Sequence, residues 1–143
     1  MRAAWDWDPE ATAALVAAVG GPLAELAGVH PADRIRAALG LGPGQSALAL
    51  VRGPGAGSTF RLIEAVLIGR STEAAVLLDD VSVSRRHAEV RPGPDGWAVG
   101  DLGSLNGTYV NLRRVEQAVL AHGDEIQVGM FRLVFLHEPA LRP

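Results

Sequence analysis

From Ala47 to Leu136 the chain is cut into about ten short apolar or alternating segments, each stopped by a cluster of turn-forming residues. This punctuation constrains the fold more than any other feature. Residues 47–52 run into Gly53-Pro54-Gly55-Ala56-Gly57, a hairpin-like loop, and 59–63 follow. Residues 66–69 and 76–78 are brief apolar runs, and 87–91 alternate before Pro92-Gly93-Pro94-Asp95-Gly96. Residues 97–101, 108–110, Val115, 125–128 and 131–136 complete the series. Nothing between them is long enough for the crossover helix that parallel strands require, so the pattern predicts a β-sandwich or barrel and excludes a βαβ architecture.

The first third is different. Asp8-Pro9-Glu10 is a helix start, with a capping Asp, a Pro suited to the first turn and an acid at the positive end. Leu15, Val16 and Val19 follow at helical spacing until Gly20-Gly21, and residues 22–27 suit a short second helix. His30-Pro31-Ala32-Asp33 opens a third, in which Ile35 and Leu39 lie one turn apart before Gly40 stops it. The expected organisation is a helical segment and linker over 1–45, a β domain over 46–137 and a tail over 138–143. The helical part is too small to fold alone and is expected to dock.

Composition removes several function classes. With no cysteine in 143 residues, disulfide frameworks, cysteine-type zinc, iron–sulfur clusters and thiol nucleophiles are out. The net charge of −3 argues against broad phosphate neutralisation on nucleic acid. No stretch reaches the roughly 18–20 apolar residues of a membrane span, and the Ala/Val-rich run over 11–19 follows acids rather than a basic start. A cytoplasmic protein without membrane insertion is expected.

Function on a β scaffold concentrates in loops. Three carry polar residues the fold does not itself demand: Gly69-Arg70-Ser71, Ser82-Val83-Ser84-Arg85-Arg86-His87, and the stretch from Asp101 through Gly103-Ser104-Leu105-Asn106-Gly107-Thr108. They offer guanidinium forks, hydroxyls and an amide, the donor set of a phosphate site. Ser84, His87 and Asp101 invite a catalytic-triad reading, but no nucleophile elbow surrounds Ser84. His87 reads instead as a buried imidazole tying two loops. Asp79-Asp80 has no metal-ligand spacing and reads as a capping or Arg-pairing loop.

The order and spacing of these blocks resemble the forkhead-associated (FHA) domain over residues 47–137, most closely the small actinobacterial FHA regulators of the GarA type. The resemblance extends through Asn111 and the run Gly123-Asp124-Glu125-Ile126-Gln127-Val128-Gly129. It implies an eleven-stranded β-sandwich, mainly β, preceded by the small α-helical segment. It also implies a non-catalytic module that binds phosphothreonine peptides and needs no cofactor or metal. Carried over by position, Arg70, Ser84 and Arg85 would contact the phosphate, and Asn106 would hold the peptide backbone with help from Ser104. Gly69, His87 and Gly107 match architectural positions, and Ser82 falls where the family selects the residue three places after the phosphothreonine. The implied partner is a threonine-phosphorylated protein, such as a Ser/Thr kinase or its substrate. GarA-type regulators switch through threonines in a flexible N-terminal tail. Here the corresponding segment reads as helical, with Thr12 inside it, so a packing, partner-docking or homodimer-forming role is expected of the helices.

Three other readings compete. One is a structural or assembly protein that uses the scaffold for phosphate-independent docking. The second is an enzyme, for which no nucleophile–base pair or nucleotide-type phosphate loop is visible. The third is DNA binding through Arg85-Arg86 and Arg113-Arg114, weakened by the acidic balance.

Overall fold

The computed structural model describes residues 30–141. The first two expected helices, with Thr12, lie outside the described residues. Within them, one helix, α1 (Pro31–Leu39), precedes eleven strands: β1 (Ser46–Arg52), β2 (Thr59–Leu62), β3 (Val66–Gly69), β4 (Val76–Leu77), β5 (Ala88–Gly93), β6 (Gly96–Asp101), β7 (Thr108–Val110), β8 (Arg113–Val115), β9 (Gln117–Val119), β10 (Glu125–Val128) and β11 (Phe131–His137). They form two sheets, ordered β2-β1-β11-β10-β7-β8 and β4-β3-β5-β6-β9. All pairings are antiparallel except β3 with β4. The mainly β, eleven-stranded sandwich with a small preceding helix is therefore what the chain adopts.

Alternation builds the core. Leu48 and Leu50 of β1, Ile68 of β3, Val90 of β5, Val99 of β6, Ile126 of β10 and Leu133 of β11 point between the sheets. β1 is buried on both faces, which is why its sequence, Ser-Ala-Leu-Ala-Leu-Val, hardly alternates in polarity. Its outward residues Ala47, Ala49 and Val51, with Val134 and Leu136 of β11, form a second cluster under Ala32 and Ile35 of α1. Ile35 is fully buried there, worth about 1.5–3 kcal/mol by area.

The helix is fastened along its length. His30 is the N-cap, its Nδ1 accepting from the Ala32 N–H at 3.0 Å, and Gly40 closes the other end in the left-handed conformation. Arg36 donates to the His137 carbonyl at 2.8 Å, and Arg61 of β2 to the Leu39 carbonyl at 2.8 Å. His122 Nδ1 accepts from the His137 N–H, so its Nε2–H is free to donate to Asp33 at 2.8 Å. Burial, the largest influence, pushes the His122 pKa below its ordinary 6.5, and Arg36 adds to that, against the opposing pull of Asp33. The contact with Asp33 is thus a hydrogen bond from a neutral imidazole rather than an ion pair.

The residues around Pro92 differ from the sequence reading. They were expected as a loop, yet β5 and β6 stay paired to Gly93 and Gly96, leaving only Pro94-Asp95 as the turn. Pro92 is tolerated because β3 pairs with β5 only as far as Val90, so its missing N–H deprives no neighbouring strand. Among the described residues, no helix is long and apolar enough to cross a membrane.

Candidate functional site

The loops β3–β4, β4–β5 and β6–β7 meet at one end of the sandwich, beside the β10–β11 turn. Their approach is closest at Gly69. A Cβ there would collide with the Arg85 carbonyl oxygen and crowd that of Ser84, so only glycine allows the two loops to touch. With that contact made, the loops pair like strands: the N–H groups of Arg70 and Ser71 donate to the carbonyls of Ser84 and Arg85, both at 3.0 Å. The Arg70 side chain is braced the same way, its Nε donating to the Val83 carbonyl at 3.1 Å. Its two terminal nitrogens have no partner among the described residues, and the residue is exposed.

His87 does what the sequence suggested. It is completely buried, with Nδ1 accepting from the Ser84 backbone N–H at 3.1 Å and Nε2 donating to the Gly107 carbonyl at 2.8 Å. The Ser84 N–H can only donate and the Gly107 carbonyl can only accept, which fixes the tautomer. The triad reading fails on the same geometry. His87 holds the Ser84 backbone, not its hydroxyl, and Asp101 is committed elsewhere. Ser84 Oγ instead accepts from the Leu105 N–H at 3.1 Å, leaving its proton free for an outside acceptor.

Asp101 is the hub of the third loop. Its Oδ2 accepts from the N–H groups of Gly103 and Ser104 at 3.0 and 3.1 Å, and its Oδ1 from the hydroxyls of Ser104 and Thr108. Burial raises its pKa, but the Ser104 and Thr108 hydroxyls and the two backbone donors outweigh this and hold it below the ordinary 3.8. Ser104 Oγ then accepts from the Gly107 N–H at 2.9 Å. Ser104 is thus buried and saturated inside the loop, whereas Arg70, Arg85 and Asn106 stand exposed.

Asn106 donates to the Ser82 carbonyl at 3.0 Å and keeps its own carbonyl oxygen and one N–H unengaged. Ser82 itself is knotted into the framework. Its N–H and hydroxyl donate to Asp80 Oδ2, and its Oγ accepts from the Met130 N–H at 3.0 Å. Hydrogen bonding to the Ser82 side chain, then to its backbone, lowers the Asp80 pKa. Asp80 therefore caps its loop, one of the two roles expected of it. The knot to Met130 was invisible in the sequence, because its partners lie 48 residues apart.

The chain belongs to the FHA family: the model of the FHA domain matches residues 66–129. Relatives agree with that placement. The chain is 55% identical over 101 residues to the glycogen accumulation regulator GarA of Mycobacterium tuberculosis, a match covering 70% of this chain and 62% of that relative's length. It is 48% identical over 119 residues to the oxoglutarate dehydrogenase inhibitor of Corynebacterium efficiens, covering 82% and 84%. Among solved structures, it resembles an FHA domain studied for phosphothreonine-dependent interactions, at 36% identity and TM-score 0.58, covering 69% of this chain and 98% of that one. It also resembles the FHA domain of FhaA solved with the intracellular domain of another protein, at 38% identity and TM-score 0.58, covering 63% and 98%.

Proposed function

We propose that this chain is a non-catalytic regulatory adaptor that binds a phosphothreonine segment of a partner protein. The observation that carries the reading is the state of the donors. Ser84 has its acceptor side filled by Leu105 and its proton unspent, beside an Arg70 guanidinium braced at Nε with its ends open. Arg85 stands exposed on the same loop. A phosphate near neutral pH brings a charge of about −1.5 to −2 and three acceptor oxygens, which two guanidinium groups and a hydroxyl can satisfy. Asn106, with a donor and an acceptor in hand, suits the extended backbone beside it. In this scheme Gly69, His87, Ser104 and Gly107 act through loop shape rather than contact.

The relatives' names support a metabolic enzyme as the regulated partner, and an FHA neighbour solved with another protein's intracellular domain supports a protein partner; a Ser/Thr kinase setting in the cytoplasm is proposed with them. No cofactor is assigned, and the segment before α1 is proposed as a docking or dimerising element.

The test is binding by calorimetry or fluorescence anisotropy to a degenerate phosphothreonine peptide library, with phosphoserine and unmodified threonine controls. Charge-assisted bonds of about 1.5–3 kcal/mol each, less the cost of ordering the peptide, lead to micromolar affinity, about −8 kcal/mol. Arg70→Ala and Ser84→Ala should lose that binding while keeping the wild-type fold by circular dichroism. Equal binding of phosphorylated and unmodified peptides would sink the reading in favour of phosphate-independent docking.

A further inference from the structure

The loop that presents Asn106 enters β7, and the two neighbours of β7 give its flanks opposite character. On the β10 side the exposed side chains are Met130, in the β10–β11 turn, and Val81, 96% exposed beside Ser82. On the β8 side stands Arg114, the cross-strand partner of Tyr109. Its guanidinium group lies over Gly107: a Cβ on that glycine would be 2.7 Å from Arg114 Nε and 2.9 Å from Cζ. An exposed cation is thus held against the residue that follows Asn106.

Among the described residues Arg114 makes no hydrogen bond or ion pair, although Arg36, Arg91 and Arg132 each have a carboxylate partner. A guanidinium group is charged at any physiological pH and presents a planar fork matched to carboxylate or phosphate. Fixed at the lip of the loop and unneutralised, it imposes a positive potential on whatever chain crosses Gly107. A ligand lying in extended form over Asn106 would place a neighbouring side chain there.

We propose that Arg114 forms an anion-recognising subsite on the β8 flank, selecting phosphothreonine ligands that carry a carboxylate or a second phosphate near the phosphothreonine. The inference rests on the phosphothreonine reading of the site and adds the chemistry of the flanking residue.

The experiment uses the full chain and phosphothreonine peptides in which Glu, Gln or phosphoserine is walked through three positions on each side. Wild type should favour Glu over Gln at one position by about threefold, as expected for an exposed charge pair. The preference should weaken with added salt. Arg114→Gln should remove it and Arg114→Lys should keep most of it. Arg114→Glu should invert it, with the Gln peptide bound within about twofold of wild type by all three variants, since that peptide gains and loses no ion pair. A phosphoserine preference at the same position would identify a doubly phosphorylated ligand as the better source of the anion. A Glu preference that survives Arg114→Gln, or its absence from wild type, would overturn the subsite while leaving the phosphothreonine site standing. Failure of wild type to bind any phosphothreonine peptide would overturn both.

Discussion

Replacing His87 by Ala removes a completely buried side chain that joins two of the recognition loops. The imidazole is completely buried and makes both of its possible hydrogen bonds, to the Ser84 N–H and the Gly107 carbonyl. The Gly107 carbonyl, left buried and unpaired, costs about 1–3 kcal/mol; the half-exposed Ser84 N–H can turn to water and costs less, about 0.5–1 kcal/mol. A cavity of roughly 60 Å³ at about 24 cal/mol per Å³ adds about 1.5 kcal/mol. The sum, about 3–5 kcal/mol, is a large share of the 5–15 kcal/mol that holds an ordinary domain together. It should lower the melting temperature by about 10–20 °C. Urea denaturation followed by tryptophan fluorescence measures it directly. Ser84→Ala is the control, because its hydroxyl serves the exposed Leu105, whose N–H water can satisfy; the expected loss there is under about 1 kcal/mol. A His87→Ala protein within about 1 kcal/mol of wild type would refute the view that this imidazole holds the loops.

Three further outcomes are expected. Asp101, held below its ordinary 3.8 by hydroxyl and amide donors against the effect of burial, contributes stability that is complete above that value and lost as pH falls through its lower folded value. Urea midpoints of wild type and Asp101→Asn, taken from pH 7 to pH 3, should therefore converge at the acid end. His122, pushed below 6.5 mainly by burial, contributes in the same direction: full stability above 6.5, declining as acid charges the imidazole. An NMR titration of its ring protons should find the midpoint below 6.5, with α1 resonances shifting alongside. Leu112 sits at φ 70° in the β7–β8 turn with its side chain 64% exposed, so Leu112→Gly relieves left-handed strain at little loss of burial. A gain of about 0.5–1 kcal/mol, or about 2–5 °C in melting temperature, should appear in a thermal scan.

Much of the strand pattern could be read from the chain because most strands bury one face and end in Gly- or Pro-bearing turns. β9 was missed because Gln117-Ala118-Val119 has no alternation of its own and exists through its pairing with β6. α1 was legible from its caps, but not its fastening: Asp33 and His122 lie 89 residues apart, and no periodicity links them. At the site, Gly69, Arg70, Ser84, His87 and Asn106 stood out through motif spacing. Ser104 was expected beside the ligand and lies buried within the loop; the available signal was Asp101 three residues earlier, the spacing of a side-chain-capped turn. Arg114 drew notice in the sequence only as half of a basic pair with Arg113; its place over Gly107 follows from the register of β7 with β8 and could not be read there.

The mutual bracing of the loops bears on timing. The protein's own atoms supply the hydrogen bonds that tie the loops to one another, so a phosphorylated segment meets a surface that does not have to close around it. Association should then run at the ordinary protein rate of about 10⁵–10⁷ M⁻¹s⁻¹ in a single phase, and micromolar affinity implies dissociation at about 0.1–10 s⁻¹. A complex that lets go this often leaves its phosphate open to a phosphatase many times a minute. The lifetime of the regulated state would then be set by the enzymes that add and remove the phosphate, with the adaptor following them almost without delay.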